Sequence, residues 1–391
     1  MRVVIFTDTY EPYVSGVVTS IKMLKTALEK MKHEVYIVTA NLKSNKFIYD
    51  EDNKIIYIPG VKTGIYDAKL TSFYSHKAFK IIKSWNIDII HSQSEFGIGF
   101  FSRIVAKRLK KPVVHTYHTL YEDYVYYVTH GHFDNLAKKL VIKLTKYYCG
   151  KSCESVIVPT EKIKNLFANK YNITKNVYVV PTGIDLSRFE TDYDTGDIKK
   201  KYNILKDDII IGAVGRVALE KSFDEMLLAS KELIENNDHI KLMIVGDGPD
   251  IDNLRDLTKA LKIDDNVIFT GKVPYDEVPG FYQTFNFLTS FSRTETQGLT
   301  IIEGLASGLP TLCIKDDSFI DSVEPGYNGY LFTSNKEFQE KILYLIDNKD
   351  EYEKMANNAK NSAHKYSKEV FADAALKIYH KCLETSKKNR N

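Results

Sequence analysis

Residues 285–316 read FNFLTSFSRTETQGLTIIEGLASGLPTLCIKD. Two short apolar runs, FNFLTSF and TLCIKD, predict strands, and the segment LTIIEGLASG between them predicts a helix. A strand, a helix and a second strand in this order form a right-handed βαβ unit, whose two strands run parallel in one sheet. This stretch therefore predicts an α/β domain built on a parallel sheet.

The same alternation extends to both ends of the chain. In the first half, predicted strands such as RVVIFT, HEVYIVTA, IDIIHSQ and PVVHTYH alternate with helical segments. The pattern restarts after a polar, turn-like stretch at 185–208. We predict two Rossmann-like domains, 1–185 and 186–366, and a final amphipathic helix within 367–391. Because open parallel sheets bind ligands at the carboxyl ends of their strands, the two sheets predict a cleft between facing edges.

Composition excludes several classes of protein. The 391 residues contain no apolar run long enough to span a bilayer, and the first strand does not resemble a signal peptide. Four cysteines are typical of reduced thiols, so we expect a cytoplasmic protein. Cys149 and Cys153 have no matching His/Cys pair, and we expect no metal site there. The absence of G-x-G-x-x-G and P-loop motifs argues against dinucleotide cofactors and P-loop ATPases.

Two basic residues follow a buried strand in the second half, within VGRVALEKS. Arg216 and Lys221 flank a turn at the carboxyl end of IIIGAVG. Cations in this position suit a diphosphate, whose charge must be neutralised as it leaves. The alternative is a pair of surface cations, but the apolar strand places Arg216 at the edge of a core.

The segment RTETQGLTIIEG carries two acids on either side of a predicted helix start. Gly298 precedes the helix, so the N–H groups of Leu299 and Thr300 form an anion site. Glu295 lies in the loop and Glu303 one turn into the helix. Each carboxylate suits the vicinal hydroxyls of a sugar ring, which predicts a nucleotide sugar with its diphosphate between them. The simpler interpretations are a loop acid and a helix-dipole acid.

A glycine also precedes the first helix of the chain. In EPYVSGVVTS, Gly16 would let a phosphate approach backbone N–H groups, although a turn glycine explains it equally well.

Together these segments resemble retaining GT-B glycosyltransferases of family 4, and the resemblance covers nearly the whole chain. It rests on the segment from Ser292 to Pro310 and on EPYVSGVVTSI, VVPTGIDLSRF, VGRVALEKS and VGDGP. The GT-B fold implies that the last helix crosses back to the first domain. The resemblance implies that Glu303 binds the nucleotide ribose and Glu295 the transferred sugar. It also implies that Arg216 and Lys221 bind the diphosphate, with Gly16 near donor or acceptor.

The start of the chain and HTYHTLYEDYVYY are most similar to bacterial 1,2-diacylglycerol 3-glucosyltransferases. This similarity implies a UDP-glucose donor, a diacylglycerol acceptor and an active-site histidine at His118. His115 is the rival, three residues earlier. No cofactor is implied, and two basic side chains can replace a divalent cation at the diphosphate. The pair Asp192 and Asp194 is expected to face water.

Residues 1–180 carry 27 Lys+Arg against 15 Asp+Glu, a net charge of +12, whereas the rest of the chain has −9. Within this basic half, 120–151 combines tyrosines with Lys138, Lys139, Lys143 and Lys146, and its apolar residues Leu136, Leu140, Ile142, Leu144 and Tyr147 are expected to share a helix face. Basic amphipathic helices lie on anionic membranes. We therefore expect peripheral binding to the inner membrane face and no nucleic-acid partner. The alternative is a helix packed on the sheet with its lysines snorkelling outward.

A second patch is expected from residues just upstream, which are Tyr66, Lys69, Phe73, Tyr74, Lys77, Lys80 and Lys83. The predicted activity is transfer of glucose to the 3-hydroxyl of diacylglycerol with retention of configuration. The alternatives are a family 4 enzyme with a soluble sugar, polyol phosphate or protein acceptor, a sugar-nucleotide isomerase, and a non-catalytic sugar-nucleotide binder.

Overall fold

Two parallel sheets form the cores of two separate units. The computed structural model describes residues 1–13, 15–62, 69–120 and 134–388. One unit comprises Met1–Gly183 together with Lys368–Asn391, and the other comprises Ile184–Ser367. In both, the central strands are runs of β-branched and other apolar residues, which suit strands covered by helices on both faces.

The first unit is built on an eight-stranded sheet with the order β10-β9-β8-β7-β1-β2-β4-β3. All neighbours are parallel except β3, which pairs antiparallel with β4, and β5 and β6 form a separate antiparallel pair. The strands of this unit are β1 Arg2–Thr7, β2 Glu34–Ala40, β3 Ile48–Asp50, β4 Ile55–Ile58, β5 Gly60–Lys62, β6 Lys69–Thr71, β7 Ile89–Ser92, β8 Val113–Thr116, β9 Ser155–Val158 and β10 Val177–Val179.

Helices cover both faces of this sheet. Two of them continue into π-helical turns, at Lys146–Lys151 and Phe167–Tyr171. The helices before the second unit are α1 Gly16–Lys30, α2 His76–Ser84, α3 Gly97–Leu109, α4 Asp134–Thr145 and α5 Glu161–Leu166.

The second unit contains a six-stranded parallel sheet with the order β13-β12-β11-β14-β15-β16. Its strands are β11 Ile209–Val214, β12 Ile240–Val245, β13 Val267–Phe269, β14 Phe287–Ser290, β15 Thr311–Ile314 and β16 Gly329–Phe332. Its helices are α6 Ser187–Glu190, α7 Gly196–Lys201, α8 Phe223–Asn236, α9 Ile251–Leu261, α10 Val278–Tyr282, α11 Leu299–Ala306, α12 Asn335–Asp347 and α13 Lys349–Ala363.

The last helix, α14 (Lys368–Lys388), belongs to the first unit. It packs against α1, and its buried residues Phe371, Ala375 and Tyr379 join the same core cluster as Ile21 and Leu24 of α1. The apolar spacing of α1 in the sequence therefore marks its buried face. Burial of these apolar side chains holds α14 against α1, because each Å² of apolar surface removed from water stabilises the folded state by about 25 cal/mol.

The predicted alternation of strands and helices is confirmed in both units, with strand ends within a few residues of the expected positions. The short strands β3, β4, β5, β6 and β16 were not predicted. In the part of the chain that the structure describes, each of them follows another strand with no helix between, so the strand–helix alternation does not mark it. Within the described residues, we found no helix that combines the length and the apolarity required to cross a bilayer.

Candidate functional site

The loops after β11 and β12 meet backbone to backbone in the second unit. Gly246 lies so close to Gly215 that a Cβ on Gly246 would stand 1.9 Å from the Gly215 carbonyl oxygen. The Val217 N–H then donates to the Asp247 carbonyl oxygen at 3.0 Å. Side chains larger than glycine would separate these loops. The close approach fixes the turn that carries Arg216 and Lys221.

Arg216 and Lys221 lie at the carboxyl end of β11, as the sequence predicted, and both are next to acids. An Arg216 guanidinium nitrogen lies 4.0 Å from a Glu220 carboxylate oxygen. The Lys221 ammonium group donates to the Glu295 carboxylate, and both side chains are largely buried. The structure therefore brings a predicted phosphate-binding cation and a predicted sugar-binding acid into direct contact.

Hydroxyl groups of the loop after β14 tie it to the Lys221 turn. Ser292 Oγ and Thr294 Oγ1 each donate to the Glu220 carbonyl oxygen at 3.2 Å. Two loops that are about 70 residues apart in sequence are thus joined. This connection holds Glu295 beside Lys221.

A pocket opens between the ends of β11 and β14 and the starts of α8 and α11. Three of the predicted donor-binding residues, Lys221, Glu295 and Thr300, line it. Its charged and polar lining residues are Lys221, Ser222, Thr289, Ser290, Glu295 and Thr300. The lining thus offers an ammonium group, a carboxylate and several hydroxyls, which are groups that bind phosphate and sugar oxygens.

Gly298 is the residue from which α11 begins. Its φ is +75°, and a Cβ there would lie 2.7 Å from a ring carbon of Phe319. The N–H groups of Leu299 and Thr300 belong to the first turn, whose N–H groups have no acceptor within the helix. Gly298 thus allows the chain to turn into α11 close to Phe319, and anion binding at this helix start stays a prediction.

Glu303 lies on α11 in an apolar setting and is only 7% exposed. The hydroxyl of Tyr282, itself fully buried, lies 2.8 Å from a Glu303 carboxylate oxygen and 3.1 Å from the Thr300 carbonyl oxygen. Burial raises the pKa of Glu303 from 4.5 to about 7, while the Tyr282 hydroxyl and Arg188 act in the opposite direction. Glu303 therefore exchanges its proton near neutral pH.

Arg188 and Tyr282 were not singled out from the sequence. Arg188 stacks on the Tyr275 ring, with its guanidinium carbon 3.9 Å from the ring centroid, and donates to the Tyr275 carbonyl oxygen at 2.8 Å. Arg188 occurs in the quoted segment VVPTGIDLSRF, which is the signal that could have identified it. Tyr282 occurs in no motif, and only its packing against α11 reveals its role.

In the first unit, His118 follows the carboxyl end of β8 and is half-buried. Its Nε2 atom lies 2.7 Å from Oε1 of Gln93, which follows β7. Burial lowers the pKa of His118 to about 4, with His115 acting in the same direction and Glu95 opposing it. His118 is therefore an uncharged imidazole at neutral pH.

His115, the rival histidine, lies within β8 and is fully buried. Its Nε2 atom lies 2.9 Å from Glu95, and its Nδ1 atom lies 3.2 Å from Arg103. Arg103 also donates to the Tyr148 carbonyl oxygen. Both ring nitrogens of His115 thus have protein partners, which is the arrangement of a structural histidine.

Gly16 is the first residue of α1, whereas the sequence placed it just ahead of the helix. Ser15 caps this helix by accepting a hydrogen bond from the Val18 N–H at 3.3 Å. Asp8, which follows β1, contacts the start of another helix. Its carboxylate accepts hydrogen bonds from the backbone N–H groups of Phe96 and Ile98 at the beginning of α3. Burial raises the pKa of Asp8 to about 6. Asp8 was not identified from the sequence.

The basic helix α4 exposes Lys138, Lys139 and Lys143, and Lys146 just beyond it is half-buried. The expectation of one shared apolar face was wrong in part. Ile142 and Leu144 pack against the core of the unit. Leu140 and Tyr147 instead are 57% and 41% exposed. The apolar residues of this helix therefore lie on more than one side of it, which depends on how the helix packs on its unit.

The exposed aromatic surface continues upstream of α4. The ring of Phe100 lies 6.3 Å from that of Tyr147 and 4.9 Å from that of Phe73, which is 55% exposed. Lys69 does not contribute to this surface, contrary to expectation. It is 7% exposed, and its ammonium group donates to the carbonyl oxygens of Asn41 and Ser44. Tyr66 and the tyrosines of 121–133 lie outside the described residues.

Comparison with known proteins gives the family. Residues 14–188 match the protein family described as "Glycosyltransferase Family 4". Residues 194–362 match the family described as "Glycosyl transferases group 1". An α-monoglucosyldiacylglycerol synthase of Streptococcus pneumoniae is 37% identical over 88% of this chain and 78% of its own length. Another from Acholeplasma laidlawii is 34% identical over the full length of both chains. The chain belongs to the GT-B glycosyltransferases.

Solved structures agree with this glycosyltransferase fold at low sequence identity. HepE from Anabaena, in complex with UDP and glucose, has a TM-score of 0.74 at 15% identity and covers 97% of this chain. A sucrose-phosphate synthase from Thermosynechococcus elongatus has a TM-score of 0.75 at 17% identity and covers 98%. The predicted family and GT-B fold are thus confirmed, whereas the roles of individual residues of this glycosyltransferase remain predictions.

Proposed function

We propose that this glycosyltransferase transfers glucose from UDP-glucose to the 3-hydroxyl of 1,2-diacylglycerol, with retention of the α configuration, at an anionic membrane surface. The observation that carries the proposal is the 34% identity over the full length of both chains to an α-monoglucosyldiacylglycerol synthase. The pocket of the second unit supports it, since its lining suits a diphosphate and a sugar.

The donor would lie along the start of α11. Glu303 would accept hydrogen bonds from the ribose hydroxyls, and Glu295 from hydroxyls of the glucose. Between them, Arg216, Lys221 and the N–H groups of Leu299 and Thr300 would hold the diphosphate. The ion pair of Lys221 with Glu295 supports this order, because it places the cation beside the acid that would hold the adjacent sugar.

The reaction would follow a front-face course. The bond between the glucose C1 and the β-phosphate oxygen breaks, and the 3-hydroxyl oxygen forms its bond to C1 on the same face through an oxocarbenium-like transition state. The leaving phosphate oxygen accepts the hydroxyl proton, which gives UDP and the α-glucoside. Two cations and the helix start stabilise the departing charge, so this course requires neither a metal ion nor a protein nucleophile.

The first unit would serve the acceptor and the membrane. His118, uncharged at neutral pH, would lie near the sugar and the acceptor hydroxyl. Lys138, Lys139, Lys143 and Lys146 would bind anionic headgroups, with Leu140 and Tyr147 entering the interface. The combination of exposed lysines with exposed apolar side chains on one helix supports this assignment.

A donor screen tests the proposal. Each assay contains anionic vesicles, with or without diacylglycerol, and one radiolabelled donor: UDP-glucose, UDP-galactose, UDP-N-acetylglucosamine or GDP-mannose. The lipid product is then analysed for its anomeric configuration. We expect label from UDP-glucose alone to enter an α-linked lipid, and only with diacylglycerol. Label in a water-soluble acceptor, or conversion of UDP-glucose without acceptor, would instead favour a soluble acceptor or an isomerase.

A further inference from the structure

His91 of β7 is fully buried, and each of its ring nitrogens has a hydroxyl partner. Its Nδ1 atom lies 2.6 Å from the hydroxyl oxygen of Tyr379 on α14, and its Nε2 atom lies 2.6 Å from Oγ1 of Thr116, the last residue of β8. Tyr379 and Thr116 are buried as well. Two strands and the last helix of the chain are thus joined by one short chain of hydrogen bonds.

This chain of hydrogen bonds lies one step from His118 along the strand ends. The contact between Gln93 and His118 joins the same two strand ends, and each of these residues follows its counterpart, His91 or Thr116, by two positions. Strand pairing continues this far, since the Gln93 N–H donates to the Phe6 carbonyl oxygen at 2.8 Å. Residues two apart in an extended chain share a face. A shift of the first contact therefore displaces the residues of the second.

His91 carries no charge at neutral pH. Burial lowers its pKa well below the ordinary value of 6.5, and the nearby His118, His115 and Arg103 act in the same direction. An uncharged imidazole has one N–H group and one nitrogen lone pair, so it donates to one partner and accepts from the other. The two contacts of His91 therefore have opposite directions.

Tyr379 is the residue from which this chain of hydrogen bonds begins. A phenol is more acidic than an aliphatic alcohol and is therefore the stronger donor, and burial raises the pKa of Tyr379, so that it keeps its proton. Its hydroxyl donates to Nδ1 of His91, and the Nε2–H of His91 donates to Oγ1 of Thr116. Because a buried polar atom without a partner is costly, each hydroxyl restrains the imidazole.

We propose that Tyr379 and Thr116 are positioning residues that hold His91 as its Nε2–H tautomer and thereby fix the end of β8, and His118 with it, for the reaction with the acceptor. This inference deepens the proposed function and rests on it for the role of His118. It gives α14 a part in turnover besides its part in the core of the first unit.

The simpler interpretation is that these hydroxyls only anchor α14, and Cys382 separates the two interpretations. Cys382 lies on the same helix, is also buried, and its Sγ atom donates to Ser155 Oγ of β9 at 3.1 Å. It anchors the helix to the sheet without contacting His91 or Thr116. Cys382→Ala is therefore the matched control for Tyr379→Phe.

Kinetics give the first test. Tyr379→Phe and Thr116→Val each remove one hydroxyl and keep the shape of the side chain. We expect each to lower kcat about 10-fold with an unchanged KM for UDP-glucose, because small misplacements of a reacting group slow turnover strongly. Thr116→Ser should restore most of the rate lost in Thr116→Val. Cys382→Ala should lower Tm and spare kcat. Equal kcat values in Tyr379→Phe and Cys382→Ala would leave only the anchoring role and overturn the proposal.

The double variant tests whether the two hydroxyls act through one imidazole. Residues that act as a unit have non-additive effects, so Tyr379→Phe combined with Thr116→Val should be about 10-fold slower than the wild type. Independent effects would multiply to about 100-fold, and that result would contradict action through His91.

The tautomer is measured on the protein without substrate. The protein is labelled with ¹⁵N-histidine, and His91 and His118 are assigned among the 10 histidines by comparison with His91→Asn and His118→Gln. We expect wild-type His91 to show a protonated Nε2 and an unprotonated Nδ1. The His118 signals should shift in Tyr379→Phe, whose changed atom does not contact His118, and stay in place in Cys382→Ala.

A protonated Nδ1 of His91 in the wild type, or His118 signals that do not move in Tyr379→Phe, would overturn the inference. If the wild type transfers no glucose to diacylglycerol, the proposed function fails. The ¹⁵N measurements then decide by themselves whether the two hydroxyls position His118.

Discussion

Glu303 is a carboxyl group in a place where ionisation is costly. Burial raises its pKa from 4.5 to about 7, and the buried Tyr282 hydroxyl offsets part of that cost by favouring the carboxylate. The pKa in the folded protein exceeds that in the unfolded chain, so this group makes the folded state less stable as pH rises from 4.5 to 7. A ribose diol that donates to the carboxylate would compensate for this cost.

Donor binding should therefore depend on pH. We expect the Kd for UDP to fall as pH rises through 7 and to level off above it, because the ionised Glu303 accepts both ribose hydroxyls. Titration calorimetry from pH 5.5 to 8.5 measures this dependence. A pH-independent Kd in the wild type would show that Glu303 does not bind the ribose.

Tyr282→Phe should move that pH dependence upward, since removal of the hydroxyl raises the pKa of Glu303 further. Tyr352→Phe is the matched control, because Tyr352 is also packed in the second unit and its hydroxyl donates to the Asn286 carbonyl oxygen at 3.0 Å. We expect the control to leave the pH dependence unchanged. Equal shifts in both variants would assign the effect to general loosening of the unit.

The ion pair of Lys221 and Glu295 is the second prediction at this scale. Glu295→Ala should lower turnover about 100-fold or more, since it removes a group that would hold the transferred sugar and position Lys221. Its control is Glu225→Ala, which breaks the exposed pair with Arg293 at 2.7 Å from the same loop. We expect near-normal rates from the control and native melting from both. Normal turnover in Glu295→Ala would refute its placement in the site.

At the scale of elements, the start of α11 depends on one backbone conformation. Gly298→Ala would place a methyl group 2.7 Å from the Phe319 ring at a φ of +75°. Gly326→Ala has a similar φ of +78° and open space around it. Both substitutions carry about 1–2 kcal/mol of left-handed strain, but only Gly298→Ala adds overpacking.

We expect Gly298→Ala to lower Tm more than Gly326→Ala does and to weaken UDP binding. Gly326→Ala should bind UDP normally. Thermal melting and calorimetry separate the two effects. Normal UDP binding in a folded Gly298→Ala protein would mean that the start of α11 is not the phosphate site.

The basic helix α4 is the element that would bind the membrane. Changing Lys138, Lys139, Lys143 and Lys146 to Glu should weaken co-sedimentation with anionic vesicles at low salt, because each basic residue near such a surface contributes about 1 kcal/mol. The control changes four exposed lysines of the second unit by the same total charge. These are Lys199, Lys200, Lys201 and Lys206. An equal loss of vesicle binding in both variants would show that the effect depends only on net charge.

At the scale of the whole molecule, the long apolar strands and the amphipathic helices were predictable because their periods are clear. Val18, Ile21, Leu24 and Leu28, for example, recur at helical spacing and are all buried in α1. The strands β3, β4, β5, β6 and β16 were not predictable in this way, because each follows another strand in the described residues and lies outside the strand–helix alternation. The lysines of α4 were predictable, but the split of its apolar residues was not, since it depends on how the helix packs.

The candidate site was predictable only where a motif carried it. Arg216, Lys221, Glu295 and Gly298 lie at strand ends and a helix start, where parallel sheets place ligands. The partners that tune these groups come from distant segments. Tyr282, Gln93 and Arg188 act through contacts that exist only after folding, so no local pattern identifies them.

The central claim is that the second unit holds a nucleotide sugar along α11. A crystal structure of the protein soaked with UDP-glucose tests it most directly. We predict the diphosphate at the N–H groups of Leu299 and Thr300, within reach of Arg216 and Lys221, with the ribose at Glu303 and the glucose at Glu295. A donor bound with its phosphates away from Arg216 and Lys221 would contradict the account.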